Sequence, residues 1–118
     1  MRIAAWMMLF AILSGSLDAQ ELLVHEKPVK LRHLAGNVVD PRGFALAYVA
    51  IELRSGEDHH VLATTFADAK GKFFFRDLKR GDRLEIRALL KGFNIVQYAV
   101  EMSLVGKMHL KMVLPPAT

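Results

Sequence analysis

From residue 33 onward, apolar and polar side chains alternate with a period of two, and turn-forming clusters interrupt the alternation at short intervals. Period two places alternate side chains on opposite faces of a strand, so the pattern describes strands with one buried and one solvated face. Strands are predicted at residues 33–39, 49–53, 61–67, 72–76, 84–88, 96–104 and 107–114, and no long helical pattern competes with them. The expected inward sets are clear in several strands. They are Leu34 with Gly36 and Val38, Val49 with Ile51 and Leu53, Phe73 with Phe75, and Leu84 with Ile86 and Ala88.

The breaks between strands carry their own mechanism. In Asp40-Pro41-Arg42-Gly43, proline presets φ, the aspartate accepts backbone N–H bonds and glycine tolerates a positive φ; Asp68-Ala69-Lys70-Gly71 repeats this logic. Asp77 to Asp82 forms a further corner, Gly106 marks the turn between the last two strands, and Pro115-Pro116 ends the pattern. The expected fold is all-β, a seven-stranded antiparallel β-sandwich whose sheets pack about 10 Å apart. Alternation leaves a closed barrel open as well.

The start of the chain is different. A single Arg2 precedes the apolar run Ile3 to Leu13, and Ser14-Gly15-Ser16-Leu17-Asp18-Ala19 follows. At about 1.5 Å per residue that run covers about half of a hydrocarbon layer roughly 30 Å thick. A basic start, a short apolar core and small residues before a cut read as a signal-peptide helix at residues 1–19, with Gln20 the new terminus. Residues 20–32 carry mixed charge and Pro28 without periodicity, and read as an extended lead-in or edge segment; residues 33–115 form the domain.

The chain contains no cysteine, so disulfides and lipidation of a cysteine are excluded and an apolar core must hold the domain. Secretion or a periplasm-like compartment is the expected destination, with no membrane span after signal cleavage. The net charge is +4, but acidic and basic residues are interspersed, which favours solubility and weak attraction to anionic surfaces and does not imply nucleic acid.

The linear pattern resembles the carboxypeptidase regulatory-like domains. Residues Leu34 to Gly43 look like that family's opening strand and turn, Val49 to Leu53 like its second strand, and Asp68-Ala69-Lys70-Gly71-Lys72-Phe73-Phe74-Phe75 like its most recognisable stretch, with Leu78 and Gly81 following in place. The resemblance implies a transthyretin-like Greek-key sandwich, similar to carbohydrate-binding-like folds, and a noncatalytic binding or accessory role. Its motifs are turn glycines and core positions and specify fold before chemistry.

Enzyme signatures are missing. Hydroxyisourate hydrolases of the same sandwich type end in tyrosine-arginine-glycine-serine, whereas this chain ends Leu114-Pro115-Pro116-Ala117-Thr118. The intradiol dioxygenases hold iron with two tyrosines and two histidines; Tyr48 and Tyr98 exist here, but no H-x-H pair does. No serine lies in G-x-S-x-G. Among the histidines only Asp58-His59-His60 forms a cluster, read as a solvated hairpin tip, and His109 stands between Lys107 and Lys111 on an outward face. Asp40, Asp68 and Asp82 read as turn caps rather than calcium ligands, and Arg80-Gly81-Asp82 as a β-corner rather than an adhesion tripeptide. No catalytic residue, metal or cofactor is expected.

A sugar site requires an exposed aromatic face with polar groups beside it. The only tryptophan, Trp6, lies in the signal segment. Phe74 is the leading candidate, because Phe73 and Phe75 take the core side and leave it outward with Lys72 and Arg76; cover by the lead-in segment or a neighbouring loop is the competing reading. Tyr48 and Phe93, at strand entrances, complete the candidate set. The partner is expected to be a glycan or an envelope protein.

Overall fold

The computed structural model describes residues 20–118, so the signal-peptide reading of residues 1–19 lies outside the described residues. The described chain is all-β, with eight strands: β1 (Leu22–Leu31), β2 (Leu34–Val39), β3 (Ala50–Ser55), β4 (Val61–Phe66), β5 (Lys72–Phe75), β6 (Arg83–Leu89), β7 (Ile95–Met102) and β8 (Leu110–Val113). Five form one sheet in the order β1-β7-β6-β3-β4, and three form a second in the order β5-β2-β8. No helix among the described residues is long and apolar enough to cross a membrane.

One hydrophobic cluster joins the two sheets in a sandwich-like arrangement. Leu34, Val38, Phe73, Leu110 and Met112 from the smaller sheet meet Ile51, Leu53, Leu84, Ile86, Ala88, Val96 and Val100 from the larger. Each fully buried Val, Leu or Ile contributes about 1.5–3 kcal/mol, which is why one inward face per strand suffices to hold the sheets together. Phe73 and Phe75 meet edge to face with ring centroids 6.5 Å apart.

Two expectations are corrected. The strand count is eight rather than seven, because the lead-in segment is itself a strand: β1 pairs along β7 at the edge of the larger sheet. It shows no alternation because it has a strand neighbour on one side only and buries fully only Leu31, while its register slips between His25 and Val29, around Pro28.

The sheets are mixed rather than antiparallel, since β1 runs parallel to β7 and β2 parallel to β8. The last two strands do not form a hairpin, because β7 and β8 belong to different sheets. Residues 103–109 are therefore a crossover, which delivers β8 parallel to β2. Strand β8 is also short, at four residues, and Lys107 makes only an isolated bridge to Leu31.

The chain changes sheet between β2 and β3, returns for β5, leaves again for β6, and returns for β8. As a result β4 and β5, consecutive in sequence, end up as edge strands of different sheets. The turn of residues 68–71 joins them.

Candidate functional site

Between those two edges lies an open groove of about 820 Å³. Ala63, Thr64, Thr65 and Phe66 of β4 form one side, and all four residues of β5 with Arg76 form the other. Ala35 and Asn37 of β2 also contribute, and His109 reaches it from the crossover before β8.

Strand parity decides which side chains face this groove or its rim. Pairing of Phe73 with Gly36 and of Phe74 with Ala35 sends Phe73 into the core and Phe74 outward. Phe74 is 56% exposed, and the lead-in strand does not cover it, since β1 pairs with β7 in the other sheet. The Arg76 guanidinium carbon stands 5.3 Å from the Phe74 ring centroid, a cation–π contact that holds both groups on the surface. Lys72 shares the outward face and is exposed.

Charge at the groove is mostly positive. Lys70, Lys72 and Arg76 line it, and the one lining carboxylate is Asp68. That carboxylate is engaged by its own turn: Oδ1 accepts the N–H groups of Lys70 at 2.8 Å and Lys72 at 2.9 Å. These two backbone bonds, with a smaller contribution from the two ammonium charges, hold the Asp68 carboxyl below the usual carboxylate value.

The other candidates are dispersed. Tyr48 is exposed in the left-handed region at φ 58°, and its N–H donates to the Asp68 carbonyl at 3.3 Å, so it borders the turn but does not line the groove. Phe93 is half-buried against the core and bridges Pro116, with its carbonyl accepting from Gln20 Nε2 at 2.7 Å. The structure thus brings Phe74, Lys72 and Arg76 together and leaves Tyr48 and Phe93 apart from them. Phe66, 67% exposed on the facing strand, was not anticipated. Its signal was in the sequence: on β4 the positions of Ala63 and Thr65 turn inward, so Thr64 and Phe66 turn out.

The remaining polar clusters are internally committed. His59 Nδ1 lies 2.9 Å from Glu85 Oε2, whereas His60 Nδ1 pairs with Asp58, so the adjacent rings take different partners. The His60 hydrogen bonds lower the Asp58 pKa. Asp40 Oδ1 caps its turn through Arg42 and Phe44, each at 2.9 Å, and Asp82 Oδ2 accepts the Lys79 N–H at 2.9 Å. Among the described residues, no three His, Cys, Asp or Glu side chains converge as a metal site.

The chain matches no protein-family model, and no curated protein is significantly similar to it.

Proposed function

We propose that this chain is an exported, noncatalytic binding module of the cell envelope, secreted or periplasmic, built on a transthyretin-like Greek-key sandwich of the carboxypeptidase regulatory-like type. The alternation of the chain between two sheets and the aspartate-glycine turn leading into Phe73 and Phe75 support the fold assignment.

The observation that carries the binding role is the exposed Phe74 ring, held by Arg76 and flanked by Lys72 at the rim of the groove. A glycan is the ligand this surface suits best. A sugar's C–H face packs on the ring, while the ammonium and guanidinium groups donate to its hydroxyl or carboxylate oxygens.

Affinity electrophoresis through neutral and acidic polysaccharides tests this reading. Phe74→Ala should weaken retention on the bound polysaccharide about two- to tenfold, with the melting temperature unchanged. Unaltered retention after replacement of Phe74, Phe66 and Tyr48 together would remove it.

A protein partner is the second reading, and β4 is the observation that favours it. Its six residues carry no charge, and the side of the strand away from β3 has no strand beside it. Such an edge accepts an extended segment as an additional strand. A monomeric protein that recovers no partner from envelope extracts would exclude it.

A further inference from the structure

The most exposed large apolar side chain among the described residues lies outside the groove lining. It is Val105, 80% exposed, beside Leu104, 59% exposed, at the tip of the turn 103–106 that begins the crossover from β7. Solvated turn tips ordinarily carry Gly, Asn, Asp or Ser, so two adjacent aliphatic residues at this position are unusual.

The tip is also rigidly held. Ser103 N–H donates to the Leu31 carbonyl at 2.8 Å, Lys107 N–H to Lys30 at 2.8 Å, and Arg32 N–H to Lys107 at 2.9 Å. Within the turn, Gly106 N–H reaches the Ser103 carbonyl at 3.3 Å, and Val105 N–H reaches Ser103 Oγ at 3.3 Å. Gly106 lies so close to β1 that a Cβ there would sit 2.5 Å from Leu31 N and from the Lys30 carbonyl carbon. Leu104 and Val105 are therefore presented to solvent by a braced backbone, and a collapse of the turn onto the domain would have to break these contacts.

Positive charge surrounds them. Lys27, Lys30 and Lys107 line a notch with Val105. The corner of residues 77–82 lies at the same end of the molecule, fixed by Gly81 N–H to the Met102 carbonyl at 2.8 Å and Met102 N–H to Asp82 at 3.0 Å. It adds the exposed Lys79 and Arg80 against one exposed carboxylate, Asp77, while the Asp82 carboxylate is engaged by the Lys79 N–H.

We infer that this end of the molecule docks on an anionic membrane surface, with Leu104 and Val105 entering the headgroup and acyl boundary and the surrounding lysines and arginines facing anionic headgroups. An aliphatic tip bordered by an excess of cations gains from both apolar burial and the negative surface potential of such a leaflet. The partner is a bilayer surface rather than a free anion, because isolated phosphate would neutralise the lysines and leave the two aliphatic side chains in water. The surface is separate from the groove, so it stands or falls independently of the glycan reading.

The chain has no cysteine, so a single one can carry a reporter. The full chain with Val105→Cys, labelled with an environment-sensitive fluorophore, is titrated with phosphatidylcholine vesicles with and without about one-third phosphatidylglycerol. Thr64→Cys on β4, labelled in the same way, reports from the opposite edge of the larger sheet and controls for anchoring by other parts of the chain.

The expected result is a blue shift at position 105 with phosphatidylglycerol vesicles, little or none with phosphatidylcholine alone, and none at position 64. In the Val105→Cys background, Lys30→Glu with Lys107→Glu should weaken the apparent vesicle affinity by about tenfold or more at unchanged melting temperature. No shift at position 105, an equal shift at position 64, or an equal shift on phosphatidylcholine alone would overturn the assignment.

Discussion

Residues 40–44 and 68–72 adopt one turn in two settings. In both, the aspartate Oδ1 accepts N–H bonds from the residues two and four positions on, at 2.9 and 2.9 Å in the first and 2.8 and 2.9 Å in the second. In both, the glycine N–H returns to the aspartate carbonyl, at 2.9 and 3.0 Å, and the aspartate N–H reaches the carbonyl of the fifth residue at 2.8 Å.

The surroundings differ. The first turn points into solvent, and a Cβ on Gly43 would meet nothing within 4 Å. The second is stitched into the domain: Gly71 is buried, its carbonyl accepts the Val38 N–H at 2.8 Å, and a Cβ on it would lie 2.6 Å from the Val38 carbonyl oxygen. The local motif sets the backbone path in both. Tertiary packing decides how much stability rests on each, and only the second also joins the two strands that flank the groove.

The largest expected difference follows from the glycines. Both have a positive φ, 94° at Gly43 and 77° at Gly71, so alanine at either position meets backbone strain. At Gly43 that strain is the whole effect, and Gly43→Ala should cost about 1 kcal/mol. At Gly71 the added methyl also collides with backbone oxygens, which cannot rotate aside as a side chain can. Gly71→Ala should cost about 3 kcal/mol or more and should loosen the junction of β4 and β5. Urea unfolding of the two variants measures the gap. Equal losses would mean that the packing of the second turn adds nothing to the shared motif.

The same contrast between local pattern and tertiary setting explains what could be read from the sequence. Inward positions were legible wherever both sheets cover a strand, as for Ile51 and Leu53 on β3 or Leu84, Ile86 and Ala88 on β6, because burial of one face imposes period two. That rule also placed Phe74 outward. It could not find β1, whose side chains are mostly exposed, or reveal that β1 and β8 run parallel to their partners, because alternation records a face and carries no information about a neighbour's direction. Gly106 marks a turn in the sequence as in the structure, but the pattern does not show why glycine stands there. Its requirement is close approach to the Lys30–Leu31 backbone, a contact between residues far apart in sequence. At the site, β5 was legible as a unit, whereas the facing side of the groove depended on knowing that β4 is an edge.

A smaller effect concerns the charge on Asp68. Its folded pKa is held down, so its contribution to stability is complete above the unfolded carboxylate value near pH 4 and is lost as pH falls through the lower folded value. Asp68→Asn keeps a side-chain acceptor for the turn but cannot ionise. The stability difference between the wild type and this variant should therefore be flat from about pH 8 to pH 5 and shrink below about pH 4. Denaturant midpoints across that range provide the check.

A further substitution separates the two causes. Because the backbone N–H groups of Lys72 and Lys70 outweigh their side-chain charges in lowering the Asp68 value, Lys70→Gln with Lys72→Gln should leave most of this acid dependence in place. If the dependence vanished with the lysine charges, the second turn would be an electrostatic device rather than a second copy of the hydrogen-bonded turn seen at Asp40.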